Sequence, residues 1–305
     1  MKTKKKTHKG GTGGAAAKLM LLPSVFLLAL TSIYPFAWMF RYVLTDYNGF
    51  TANFTGSRNF TRMLGDKLFW SSVLHTLEYA GLKLLFILPP ALILAVLANQ
   101  KIKGSGLFRG IYFMPTVISP AIYSLIFGFI FAVYNGALNS ILQGIGLVNK
   151  PVDWLGNPSV VMYAIIIVAV WGGLGNYMIW FLSGMSGISS DVYESAAIDG
   201  ANAPQTFFRI TLPMLSPILK VVIMLAITSA FKDYESIMVL TQGGPSGRSQ
   251  VMFLYIYQLI FGGSGAGNAL PQMGYATLLS VVAALIIGAV TALYLFLARK
   301  LDDVV

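Results

Sequence analysis

The side chains best placed to do chemistry in this 305-residue sequence are a few charges that interrupt long apolar segments. Lys232, Asp233 and Glu235 lie together in one such segment, and Glu78 and Lys83 lie in another. Ionisable groups are costly inside a membrane, so by default they indicate a functional pathway. Helical spacing predicts that Lys232 and Glu235 share a face, together with the serine that follows Glu235, and that Asp233 points elsewhere.

Two interpretations of these charges stay open. Glu78 is predicted to lie at a depth similar to Lys232, so the two could form a structural ion pair that neutralises both inside the bundle. Alternatively, the charges contact a substrate directly, or the lysine extends its ammonium group to the membrane surface. Aromatic and amide side chains in a neighbouring segment could also line a pathway, although such aromatics more often serve packing. The full candidate set is Glu78, Trp171, Asn176, Tyr177, Phe231, Lys232, Asp233, Glu235 and Ser236.

Several other kinds of site are excluded or improbable. The chain has no cysteine, which removes disulfides, thiolate metal sites and cysteine nucleophiles, and its two histidines make a histidine-built metal site improbable. No G-x-x-x-x-G-K-[ST] pattern occurs, so the chain itself is not expected to hydrolyse ATP. The glycine-rich run 262–267 resembles a phosphate loop only superficially, and we interpret it as a linker because no strand precedes it.

The elements that must position these side chains are membrane helices. Apolar residues make up 56% of the chain and charged residues only 10%, whereas soluble domains carry roughly 25% charged residues. An apolar run of about 20 residues is long enough to cross a bilayer. We therefore predict an all-α polytopic membrane protein with six transmembrane helices. The predicted spans are Leu19–Phe40, Val73–Ala98 (kinked at Pro89 and Pro90), Leu107–Val133, Val160–Leu182, Ile218–Leu240 and Tyr275–Leu297.

The distribution of basic residues predicts the orientation. With the N-terminus in the cytoplasm, thirteen Lys and Arg residues fall on the cytoplasmic side and six on the outer side, which follows the positive-inside rule. This asymmetry accounts for most of the +10 net charge without nucleic acid. We divide the chain into a basic cytoplasmic tail (1–18), a transmembrane domain (19–300) and a cytoplasmic C-terminus (301–305).

The most informative loop covers residues 184–216, between the predicted spans four and five. Asp191 is predicted to cap a helix over Val192–Asp199, and Gly200 is a natural stop for it. Asn202 and the proline two residues later predict the start of a second short helix. Large apolar side chains in such a loop often mark an interface, although the loop could instead pack on lipid or on its own bundle. These side chains are Tyr193, Ile198, Phe207 and Phe208.

A resemblance favours the interface. The run E-S-A-A-I-D-G-A at 194–201, followed by I-T-L-P at 210–213, resembles the EAA loop of ABC importer permeases, with Ser195 in place of an alanine. The sequences L-F-R-G-I-Y-F-M-P at 107–115 and L-T-Q-G-G-P at 240–245 are similar to the maltose-permease-like branch that imports carbohydrates. The resemblance covers roughly residues 20 to 300.

The resemblance implies the type I ABC importer permease fold and a loop that docks in a groove of a separate ATPase, where Glu194 would meet a basic residue. The implied ATPase-coupling residues are Glu194, Ser195, Ala196, Ala197, Asp199, Gly200, Ala201, Leu212 and Pro213. It also implies a second homologous permease, an ATPase dimer that uses ATP and Mg²⁺, and an extracytoplasmic solute-binding protein. No cofactor belongs to this chain, which would be a non-enzymatic subunit in the bacterial cell membrane.

The resemblance further implies that span five lines a sugar pathway, where the family pattern is F-N-N-F. Here the two amides are replaced by Lys232 and Asp233, which leaves a neutral or an acidic sugar open. The competing interpretations are a secondary carrier, which predicts inverted repeats, and a membrane enzyme acting on lipid-linked sugars. We find no such repeat, and Asp233 and Glu235 are not expected to share a helix face.

Overall fold

The computed structural model describes residues 13–100, 104–262 and 270–302. Within these ranges the chain is helical, and its β-structure is limited to an isolated bridge between Thr45 and Phe54. The predicted all-α class is therefore confirmed. Much of the predicted basic tail, the lysines at 101 and 103, most of the glycine-rich run and residues 303–305 lie outside the described residues.

Five described helices are long and apolar enough to cross a membrane, and a bent pair supplies a sixth span. The straight candidates are Ala17–Tyr42, Lys67–Asn99, Val161–Met185, Ala203–Leu240 and Met273–Arg299. The prediction of six spans is confirmed when the bent pair counts as one.

The first span is a chain of short helices: α1 (Gly13–Leu28), a π-helical turn (Ala29–Ile33), α2 (Tyr34–Met39) and a 3-10 turn (Phe40–Tyr42). None of its apolar window is buried against the rest of the chain. A helix that is apolar all round needs an apolar environment, so this span must be covered by lipid or by another protein.

After α3 (Arg58–Gly65), the long helix α4 (Lys67–Asn99) forms one wall of the bundle. Asp66 caps it by accepting a hydrogen bond from the amide of Phe69 at 3.0 Å. At 1.5 Å per residue, its 33 residues span about 50 Å, longer than the hydrocarbon core. The helix is continuous through Pro89 and Pro90.

The predicted third span, Leu107–Val133, is wrong as a single helix. The chain forms α5 (Ser105–Val117) and α6 (Pro120–Ile130), which are bent by 96° relative to each other. Ser119 precedes a proline and has extended ψ of 139°, as expected because a proline disfavours helical geometry in the residue before it.

Helix α8 (Val161–Met185), which follows the short α7 (Ala137–Gly144), lies at the centre of the fold. More than half of its apolar window is buried, the largest share among the straight spans. It packs mainly against α4 and α5. Gly175 lies at the contact with α5, where an added Cβ would be 2.0 Å from the carbonyl oxygen of Tyr112.

The chain then forms α9 (Ser190–Ile198) and α10 (Ala203–Thr206), followed by a π-helical turn (Phe207–Thr211) and α11 (Leu212–Lys232). The second short helix is thus continuous with the transmembrane helix. The predicted fifth span, Ile218–Leu240, is interrupted, because α11 ends at Lys232 and α12 begins at Glu235.

Two further helices complete the bundle: α12 ends at Leu240, α13 is Met252–Phe261 and α14 is Met273–Asp302. Helix α13 packs against α14 and α4. The phenol of Tyr294, late in α14, donates to the carbonyl of Lys220 in the first half of α11 at 3.0 Å. The carboxyl end of α14 therefore lies at the same end of the bundle as the 184–216 loop.

Candidate functional site

A cavity of about 560 Å³ opens between α4, α8, the α5–α6 bend and the α11–α12 break. Of the predicted pathway residues, Asn176, Tyr177, Lys232, Asp233 and Glu235 line it. The remaining wall includes Lys83, Phe113, Thr116, Ile118, Pro120, Tyr123, Ala169, Gly172, Gly173, Ser229 and Tyr234. The cavity therefore combines hydroxyl, amide, aromatic and charged groups.

Asp233 is held by two residues of α4. Its carboxylate accepts a hydrogen bond from the Tyr79 phenol at 2.6 Å and forms an ion pair with the Lys83 ammonium at 2.7 Å. The Lys83 and Asp233 side chains are largely buried, with relative exposures of 8% and 18%. A buried charge needs an opposite charge and hydrogen bonds to offset its loss of water. Lys83 and Asp233 each provide the opposite charge and a hydrogen bond for the other.

The same contacts explain why span five breaks. Asp233 has extended backbone angles, with φ −71° and ψ 120°, so the helix stops one residue earlier. The prediction that Lys232 and Glu235 share a face assumed one continuous helix. Because the helix breaks between them, that spacing no longer applies. Both side chains are nevertheless exposed and line the cavity, and neither forms an ion pair with another described residue.

The ion pair between Glu78 and Lys232, one of the alternatives left open by the sequence, does not form. Glu78 instead forms a bidentate pair with Arg248, at 2.7 and 2.8 Å, and both side chains are about one third exposed. Arg248 lies in the segment between α12 and α13, which sequence spacing could not place beside α4. Glu78 is therefore not a cavity residue.

The other three predicted pathway residues also lie outside the cavity lining. Phe231 is buried in the apolar core formed with α13 and α14. Ser236 is fully buried and donates to the Tyr123 hydroxyl at 3.3 Å. Trp171 is 40% exposed and packs its ring edge-on near Tyr123 and Phe127, with centroids 5.9 and 5.4 Å away.

Sequence reasoning missed several cavity residues. Lys83 carried a visible signal, because it is a charge in an apolar helix, yet nothing in the sequence paired it with Asp233. Thr116 and Tyr123 reach the cavity only because the chain bends at Pro120, and that proline was the available signal. Ser229 lies one helical turn before Asp233 and could have been found from that spacing.

The 184–216 loop folds close to the prediction. Its first helix is α9, beginning two residues before the predicted start, and Ser189 is the cap rather than Asp191: the Ser189 hydroxyl accepts from the Asp191 amide at 3.3 Å. Gly200 adopts φ +75°. The amide of Ala201 donates to the carbonyl of Ala196 at 2.9 Å, which completes a Schellman-type end.

The second helix begins as predicted. Asn202 accepts from the Gln205 amide at 3.0 Å, and the Gln205 side chain accepts from the Asn202 amide at 2.9 Å. This reciprocal capping box fixes the helix start. From there α10, the π-helical turn and α11 run without interruption to the cavity, so a continuous helical path of about 45 Å joins the loop to Lys232.

The loop presents an exposed surface with apolar and acidic groups. Ile198 is 87% exposed and Phe208 is 64% exposed. Two of the implied coupling residues, Ala201 and Leu212, are half-buried. The exposed ones are Glu194, Ser195, Ala197, Asp199, Gly200 and Pro213. Ala196 is buried within the chain at 5% exposure, so it is the least accessible of the coupling residues that the resemblance implies.

Comparison with known proteins gives consistent matches along the chain. The family described as binding-protein-dependent transport system inner membrane component matches residues 87–303. The lactose transport system permease protein LacF of Rhizobium radiobacter is 30% identical, over 92% of this chain and 93% of that protein. The trehalose/maltose transport system permease protein MalF of Thermococcus litoralis is 32% identical, over 86% and 89% respectively.

A solved structure has the same overall architecture. A chain in the crystal structure of a bacterial alginate ABC transporter, in complex with an alginate pentasaccharide-bound periplasmic protein, superposes with a TM-score of 0.79. It is 25% identical, and the match covers 94% of this chain and 95% of that one. The arrangement of helices described above is therefore that of an importer permease.

Proposed function

The chain belongs to the family of binding-protein-dependent transport system inner membrane components, and from this premise we propose that it forms half of the membrane channel of an ATP-driven sugar importer. It is a permease subunit and not an enzyme. In this proposal an extracytoplasmic binding protein delivers a sugar or oligosaccharide, and a second, similar permease supplies the other half of the pathway.

The observation that carries the proposal is the polar cavity at the break of span five. Lys83 and Asp233 neutralise each other, which leaves Lys232 and Glu235 to face the cavity without an ion-pair partner among the described residues. One ammonium and one carboxylate can donate to and accept from sugar hydroxyls through charge-assisted hydrogen bonds. Asn176, with both a donor and an acceptor, suits the same ligands.

The relatives support a sugar as substrate. Their names specify lactose, trehalose and maltose, and the structural neighbour is an alginate transporter. Alginate is an acidic polysaccharide, so neutral and acidic sugars are both represented. The charges of the four ionisable cavity residues sum to zero, which favours a neutral sugar over a polyanionic one in this chain.

We further propose that the 184–216 loop docks on an ATPase subunit, which binds ATP and Mg²⁺. The exposed Ile198 and Phe208 offer apolar contact area, while Glu194 and Asp199 offer directed charge. Since α10 and α11 are continuous, displacement of the loop would move the cavity wall at Lys232. A continuous helical element of this kind can transmit a displacement from one site to the other.

This proposal places the loop, the N-terminus and the C-terminus on the cytoplasmic side of the cell membrane. The contact between Tyr294 and Lys220 supports a common side for the loop and the end of α14. The α4 cap at Asp66 and the start of α14 would then face outwards, where the binding protein arrives.

The test is uptake by proteoliposomes that contain this chain with its partner permease, ATPase subunits and binding protein. The probes are radiolabelled lactose, trehalose, maltose and alginate oligosaccharides. We expect accumulation of at least one sugar that requires ATP and the ATPase. Uptake by this chain alone, driven by an ion gradient, would overturn the proposal in favour of a secondary carrier, and so would a complete complex that imports none of the probes.

A further inference from the structure

Three aromatic rings form a row that begins in the cavity and leaves it along α13. Tyr234 lines the cavity beside Lys232 and Glu235. Its ring centroid lies 5.2 Å from that of Tyr257, which in turn lies 4.7 Å from that of Phe261. The interplanar angles are 31° and 40°, so each ring is tilted relative to the next.

The row runs away from the 184–216 loop. Phe261 is the last residue of α13, and the neighbouring Leu259 carbonyl accepts from the Gln272 amide at 2.7 Å, immediately before α14 begins. The other end of α14 reaches Lys220, close to the loop. The outer end of the row, at Phe261, is therefore at the opposite end of the bundle from the loop.

The rest of the chain leaves part of each of these three rings exposed. Phe261 is 66% exposed, and Tyr234 and Tyr257 are half-buried. Neither tyrosine hydroxyl is hydrogen-bonded to another described residue. By contrast, the buried phenols of Tyr79 and Tyr123 are both paired, with Asp233 and Ser236 respectively. A half-buried phenol with a free hydroxyl presents an apolar ring and a polar handle together.

We propose that Tyr234, Tyr257 and Phe261 form a carbohydrate-binding track that guides an oligosaccharide from the outer face into the cavity. The proposal rests on the function proposed above and adds an entry site to it. Pyranose and aromatic six-membered rings are similar in size, so successive sugar units of one oligosaccharide can contact successive aromatic rings. The free hydroxyls of the two tyrosines then hydrogen-bond the sugar hydroxyls at the rim of each ring.

The track predicts a dependence on chain length. A disaccharide fits within the cavity end of the row, whereas a pentasaccharide reaches Tyr257 and Phe261 at the same time. Tyr257→Ala and Phe261→Ala should therefore weaken long substrates more than short ones. Tyr257→Phe and Phe261→Tyr keep the rings, so these variants should retain most of the affinity for long substrates.

The experiment measures uptake KM in proteoliposomes of the complete complex for maltose against maltopentaose, and for an alginate disaccharide against the pentasaccharide. For each ring removed we expect the KM of the pentasaccharide to rise about threefold to tenfold, the equivalent of one aromatic contact, with the disaccharide unchanged. Tyr163→Ala, an exposed aromatic of α8 outside the track, is the matched control and should change neither.

Equal effects on short and long sugars, or no effect on either, would overturn the track. A second readout needs no transport: saturation-transfer NMR from aromatic protons of the purified chain in nanodiscs to maltopentaose. We expect transfer that Tyr257→Ala and Phe261→Ala each reduce, since Tyr234 and the other cavity tyrosines remain, and transfer that both variants leave unchanged would also overturn the proposal. If no probe is imported while this transfer is present, the importer function fails and the track stands.

Discussion

The Lys83 ammonium and the Asp233 carboxylate lie 2.7 Å apart at the point where α11 ends, and this ion pair joins two membrane-spanning helices. The Tyr79 phenol completes the arrangement by donating to the same carboxylate oxygen. The pair fixes the break in span five, and the break exposes Lys232 and Glu235 to the cavity. A charge pair within the membrane therefore shapes the cavity without occupying it.

Removing one member of this pair should be strongly destabilising. Lys83→Met leaves a buried carboxylate without its cation, and we expect the free energy of unfolding to fall by about 3–5 kcal/mol. Thermal and denaturant unfolding of the purified chain in detergent measure this. Adding Asp233→Asn should recover most of the loss, since the amide can still accept from Tyr79. Lys150→Met, in an exposed loop, is the control, and a Lys83→Met variant as stable as the parent would contradict the prediction.

The pair between Glu78 and Arg248 should matter less, although its geometry is bidentate. Both side chains are about one third exposed, so water screens them, and Arg248→Gln is expected to cost no more than about 1 kcal/mol. Unfolding measured at low and high salt checks this, because the difference from the parent should shrink as salt screens the pair. If Arg248→Gln lowered the free energy of unfolding as much as Lys83→Met, and equally at low and high salt, burial would not explain the difference between the two pairs.

Close packing of α8 on α5 gives a third prediction. In Gly175→Ala the new Cβ would lie 2.0 Å from a backbone oxygen of Tyr112, so a helix must shift, at a cost of about 1–3 kcal/mol. Gly128→Ala is the matched control, because it lies in α6 with open space around it and should be neutral or slightly stabilising. Unfolding midpoints of the two variants, measured under the same conditions, test this prediction: Gly175→Ala should have the lower midpoint. Equal midpoints would be inconsistent with the packing described.

The turn at Gly200 gives a prediction about coupling. Gly200→Trp places a bulky residue at φ +75° on the exposed loop surface, where it both strains the backbone and obstructs a docking partner. We expect normal amounts of protein in the membrane and loss of ATP-dependent uptake. Gly146→Trp is the matched control, since that glycine has φ +76° and open surroundings in a different loop. Normal uptake by Gly200→Trp would remove the basis for assigning docking to this loop. Charge reversal by Glu194→Arg should uncouple in the same way.

The exposed cavity charge gives a prediction about substrate. Lys232→Met removes a charged hydrogen-bond donor while leaving the Lys83 and Asp233 pair intact, so the fold should persist. We expect the uptake KM of the imported sugar to rise about tenfold or more, the equivalent of one charged hydrogen bond. Lys67→Met, at the exposed start of α4, is the control. An unchanged KM would place the sugar elsewhere in the cavity.

Much of this protein follows from its sequence because membrane helices leave a local signature. Scarce charge and long apolar runs predicted the all-α class and the number of spans, and Gly200 and Asn202 predicted the turn and cap of the 184–216 loop. These features depend on neighbouring residues of the chain, so local composition and spacing are sufficient. The motifs that carry the family resemblance, in the 184–216 loop and at 107–115 and 240–245, are likewise short stretches of neighbouring residues.

The tertiary structure decided which charges meet. Spacing suggested that Glu78 and Lys232 could pair, whereas the fold pairs Glu78 with Arg248 and Lys83 with Asp233. The choice depends on how α4 packs against segments about 150 and 170 residues away, and helical periodicity carries no information about that distance. The breaks at Asp233 and Pro120 follow the same logic, because a helix inside a membrane can end only where other groups satisfy its backbone and charges. Sequence thus determined the helical class, the number of spans and the loop, and packing between helices determined where two spans break and how the cavity forms.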